Sequence, residues 1–114
     1  MLDAEQDWRY CISVKASCDN ILTYVGSLFE TMEGVKTRWC AWDEIEPYGD
    51  KFDGYIFVAE ENKAIASIFL NGDASELESK EFAETMFKAL SNDDTKVVLE
   101  YYGKGDDILL ELKN

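Results

Sequence analysis

The chain has 114 residues, with 24 acids, 11 bases and no histidine, for a formal net charge of −13. That length holds one domain, residues 1-114, and the 46% hydrophobic and 13% aromatic content belongs to a folding chain rather than a disordered acidic tail. The charge repels nucleic-acid phosphates and anionic membranes, and the missing imidazole excludes serine–histidine and cysteine–histidine catalysis within the chain.

Met1 to Asp7 is acidic and lacks the basic, apolar pattern of a signal peptide. No apolar run approaches the roughly 20 residues of a membrane span. A cytoplasmic protein without a membrane partner is therefore expected. Trp8, Tyr10, Ile12 and Val14 alternate with polar positions and predict a half-buried strand. Ser17 or Asp19 then offers a helix cap. Ile21, Leu22, Val25, Leu28, Phe29 and Met32 follow at helical spacing, and Gly34 stands where a helix commonly ends.

Val35 to Trp42 reads as a second strand. Asp43 to Gly54 is the least regular stretch and holds the single proline, Pro47. Tyr55–Ala59 and Ala64–Leu70 read as two strands around a turn at residues 60–63. Ser75 and Glu78 match a capping box, with Ser79 as a rival start. Phe82, Ala83, Met86, Phe87 and Leu90 give the apolar face of a second helix. Lys96–Tyr102 and Asp107–Lys113 form a last pair of strands around Gly103-Lys104-Gly105-Asp106. The expected fold is α+β: a largely antiparallel sheet with two helices on one face, in the order β-α-β-β-β-α-β-β.

Chemistry is sparse. Cys11, Cys18 and Cys40 lack paired zinc spacing, and their odd number argues for a reducing compartment and for small buried hydrophobes. Phosphate loops and dinucleotide fingerprints are absent. Glu60-Glu61 and Asp106-Asp107 are adjacent acids at turns, where solvation is commoner than paired acid–base work. Asp73 and Ser75 match two calcium-loop positions, but Leu77 fails the third. No catalytic residue, metal ligand or cofactor is expected, and the chain is read as a binding protein rather than an enzyme.

One segment concentrates charge and aromatic rings. Between Trp39 and Glu61 lie seven acids and a single base, Lys51, so this window carries −6 of the −13. Acids steer a basic partner, while Trp and Tyr supply anchors. Trp39, Tyr55 and Phe57 are read as strand core. Trp42, Asp43, Glu44, Glu46, Tyr48, Asp50 and Asp53 are the expected partner surface, with Trp42 and Tyr48 at its centre.

In length, acidity and the run Trp42-Asp43-Glu44-Ile45-Glu46 followed by Tyr48 and Asp50, the chain resembles the small acidic immunity proteins of bacterial competition. Those of contact-dependent growth inhibition and the barstar-like nuclease inhibitors are similar in kind. The resemblance implies inhibition of a toxin nuclease by acidic side chains set against its basic active site. Asp19 to Lys113 also resembles the acidic secretion chaperones that bind effectors, which implies an apolar groove and a homodimer. Phage-encoded inhibitors of defence nucleases share the same physics.

Overall fold

Alternation on the first strand sets the centre of the fold. The computed structural model describes residues 7–73, 75–103 and 105–114. The acidic opening stretch up to Gln6 and turn residue Lys104 lie outside the described residues, as does the side chain of Trp8. Strand β1 (Asp7–Ala16) buries Tyr10, Ile12 and Val14 on one face. It is followed by α1 (Ile21–Glu30), β2 (Lys36–Ala41), β3 (Glu44–Tyr48), β4 (Phe52–Val58) and β5 (Ile65–Asp73). Then come α2 (Glu76–Leu90), β6 (Thr95–Gly103) and β7 (Leu110–Lys113). The sheet is entirely antiparallel, in the order β2-β3-β4-β5-β1-β6-β7.

The protein is thus α+β, two helices on an antiparallel sheet, and every expected element is present. One strand more appears between the helices. In sequence β3 reads as loop because it contains Pro47, which has no N–H to give a ladder. The chain accommodates it: Pro47 sits buried opposite Thr37 of β2, while the register with β4 runs through Glu44, Ile45 and Tyr48 and skips Pro47.

Helix α1 is capped by Asn20, not by Ser17 or Asp19; the Asn20 side chain accepts from the Thr23 N–H. An extended Asn20 leaves its carboxamide free to reach the first turn, as an N-cap requires. After the Thr31 cap the chain turns at Gly34, whose φ of 80° favours glycine. Helix α2 begins with the expected capping box, reciprocal hydrogen bonds between Ser75 and Glu78. Ser79 is buried inside the helix, not at its start.

Both helices lie on the same sheet face. α1 packs over β2 to β5, and α2 over β1, β6 and β7. Between them and the sheet lie Val25, Phe29, Met86 and Leu90 with Ile12, Ile56, Ile68, Leu99 and Tyr101. Each large apolar side chain fully withdrawn from water contributes about 1.5–3 kcal/mol. Among the described residues, no helix lies over the opposite sheet face.

The exposures correct the reading of Trp39, Tyr55 and Phe57 as core. Tyr55 is 51% exposed and Phe57 is half-buried on the open face; Trp39, beyond the end of α1, is 52% exposed. The cysteines are corrected too. All three are free thiols, but Cys18 and Cys40 are exposed and Cys11 is only half-buried.

Candidate functional site

The β2–β3 hairpin turns in two residues, Trp42 and Asp43, with Ala41 paired to Glu44. A turn that tight throws its side chains outward. Trp42 stands 89% exposed, the most exposed large apolar side chain among the described residues. Trp39 is paired with Ile45 and so faces the helix side, just past the first turn of α1.

Together they overhang a groove of about 520 Å³. Its apolar walls are Ile21 and Leu22 from α1, Val58 and Ala59 from the end of β4, and the two tryptophans. Asp19, Asp43 and Glu60 stand around it with one base, Lys63. Apolar walls flanked by carboxylates suit a basic side chain with a long methylene stem, which buries its stem and keeps its head at the acids.

The expected site residues do not form one surface. Trp42 and Asp43 belong to this groove. Glu46, Tyr48, Asp50 and Asp53 line a second groove of about 420 Å³, with Arg38, Lys51 and Asn71. Glu44, half-buried and opposite Phe57, lies on the open sheet face between them.

In the second groove the acids are partly engaged. Arg38 Nε donates to Glu46 Oε1 at 2.6 Å, and its guanidinium lies 5.0 Å from the Tyr48 ring centroid. The hydrogen bond to Glu46, then its charge, raises the Arg38 pKa still further. Asp50 and Asp53 are exposed.

Charge is segregated between the faces. Cross-strand partners share a face, so the register assigns Arg9, Lys15, Lys36, Arg38, Lys96 and Lys113 to the open face. These six bases stand against six acids whose side chains are described: Glu44, Glu46, Asp53, Glu100 and Glu111 on the face, and Asp106, which pairs with Arg9 at 3.1 Å. The helices and the other turns and loops hold thirteen acids whose side chains are described, against only Lys51, Lys63, Lys80 and Lys88. Most of the acids whose side chains are described therefore lie off the open sheet face.

Sequence reasoning missed Trp39, Asp19, Glu60 and Lys63 as groove residues. The signal available was Asp43 after Trp42, an aspartate suited to a tight turn, which would have ended the second strand at Ala41. No cluster of His, Cys, Asp and Glu that could hold a metal occurs among the described residues, and no helix there is long and apolar enough to cross a membrane. Comparison with protein-family models, curated proteins and solved structures finds no match.

Proposed function

We propose that this protein acts by stoichiometric binding to a basic protein, which it neutralises, and that the Trp42 groove is the centre of the contact. The single observation behind this reading is the fully presented Trp42 at a hairpin tip, over apolar walls and beside Asp19, Asp43 and Glu60. An exposed tryptophan of this kind is costly to leave in water and is a common anchor at interfaces. The surrounding negative field speeds the approach of a basic partner.

An immunity-type inhibitor of a toxin nuclease is the class that combines these features: a small acidic chain, an anchor, and acids placed to occupy a phosphate-binding site. Asp43 and Glu60 would meet lysine or arginine, and Trp42 would pack at the centre. Asp50 would extend the steering field. No catalytic step is assigned to the protein.

The test is capture from the native cell on immobilised full-length protein, in parallel with Trp42→Ala. The expected result is a basic protein retained by the wild type and lost with Trp42→Ala. An acidic partner, or a basic one held equally by both proteins, would contradict the reading.

A further inference from the structure

The open sheet face is built differently from the rest of the surface. Its centre is apolar: Phe57 stacks on Phe69 at 5.7 Å between ring centroids, with Tyr55, Cys11 and Val98 around them. Tyr55 and Phe69 are 51% and 47% exposed. Contiguous exposed aromatic rings on a sheet face mark an interaction surface. The near balance of bases and acids on this face, in a chain of net charge −13, makes it a poor match for a basic partner. A partner with the same balance matches it better.

We infer that the open face is the interface of a homodimer, in which two copies pack sheet on sheet. β5 is the fourth of seven strands, so it lies at the middle of the face. A half-turn about an axis along β5 lays β4 over β1 of the second copy, and β2 over its β7. Asp53, Asn71 and Arg9 lie in one register row. Asp53 then faces Arg9 of the second copy, twice by symmetry, as a second carboxylate beside the Asp106 that Arg9 holds at 3.1 Å in its own chain. At the rim, Arg38 and the Glu46 it holds come over Glu111 and Glu100 of the second copy, so the arginine lies among three carboxylates. Tyr55 meets the neighbourhood of Cys11, and Phe69 lies at the axis.

The size suffices. Seven strands about 4.8 Å apart, with central strands of 7 to 10 residues, give a face of the order of 700 Å² in projection. A standard interface buries about 800 Å² per partner. Packing this face also leaves most of the acids outside the contact, where salt screens their repulsion beyond about 8 Å. The inference is independent of the proposed function, because the Trp42 groove opens on the helix side.

Sedimentation of the full chain across a dilution series tests it. The expected species has twice the 13.0 kDa chain mass. Phe69→Glu should weaken the dimer about 30-fold or more, the scale of a hot-spot residue. Because Phe69→Glu also touches the sheet, Glu111→Arg is the companion variant. It alters an exposed edge strand, and should weaken the dimer with an unchanged unfolding midpoint. Trp42→Ala should leave the dimer intact. A monomer throughout the series, a dimer indifferent to both Phe69→Glu and Glu111→Arg, or a dimer lost with Trp42→Ala would each overturn the inference.

Discussion

Arg38 and Glu46 are bound to each other across the β2–β3 pair, Nε to Oε1 at 2.6 Å, with Glu46 half-buried and Arg38 exposed. A carboxylate already held by an arginine has less to offer a partner than a free one. Asp43, at the hairpin tip, is exposed. The two acids therefore separate a structural role from a steering role.

Reversing Glu46 to lysine should act on the fold. It sets a like charge beside Arg38 and removes the hydrogen bond that half-buried Glu46 accepts, so the unfolding midpoint should fall. Reversing Asp43 to lysine should leave the unfolding midpoint unchanged and slow association with the captured partner, more at low salt than at high salt. Urea unfolding and stopped-flow association on both variants check this. An on-rate indifferent to Asp43→Lys would remove the steering argument.

Alkaline stability should report Tyr10. Its ring is buried against Phe82 and Tyr101, and its hydroxyl donates to the Ser79 carbonyl at 3.0 Å. Burial, the leading cause, pushes its pKa from 10.0 up to about 12. A tyrosine with a raised folded-state pKa stays protonated in the fold while the unfolded chain releases the proton. Its stabilisation is full below about pH 10 and declines from there towards about pH 12. Tyr10→Phe should cost about 1 kcal/mol at neutral pH for the lost hydrogen bond and should flatten the decline over that window. Unfolding midpoints measured from neutral pH upward would show it; identical slopes for the two proteins would refute the assignment.

Gly54 should tolerate no side chain. It lies buried in β4 opposite Leu70, and a Cβ there would run into the Phe69 carbonyl oxygen and lie 2.9 Å from the Leu70 Cα. These are backbone atoms in a paired strand, so relief requires the sheet to move. Gly54→Ala should destabilise by about 1–3 kcal/mol, the usual range for overpacking. Gly105→Ala, where a Cβ meets nothing within 4 Å, is the control. Equal midpoints for both variants would contradict the packing described.

Much of the fold is legible in the residues. The alternation from Tyr10 to Val14, the α1 stripe from Ile21 to Met32, and the Ser75–Glu78 box each state one local geometry clearly. β3 is hidden because Pro47 and the surrounding acids mimic a loop; only the pairing of its neighbours makes it a strand. The exposure of Tyr55 and Phe57 is hidden for a different reason. A period of two says that a strand has two faces and not which face a helix will cover. Aromatic rings on the uncovered face read the same as rings in the core. The candidate site suffers from a third cause. Trp42 and Tyr48 are six residues apart in sequence, but β3 carries the chain from one groove to the other, so a run of acids and rings divides into two surfaces.

The most direct measurement is the affinity of the captured partner for wild type and Trp42→Ala, with urea unfolding of the same two proteins. Trp42 is 89% exposed, so its truncation should change folding stability by no more than about 0.5 kcal/mol. If it anchors the contact, binding should weaken by about 2 kcal/mol or more, chiefly through faster dissociation. Unchanged affinity in a fully folded Trp42→Ala protein would contradict the placement of the partner at this groove.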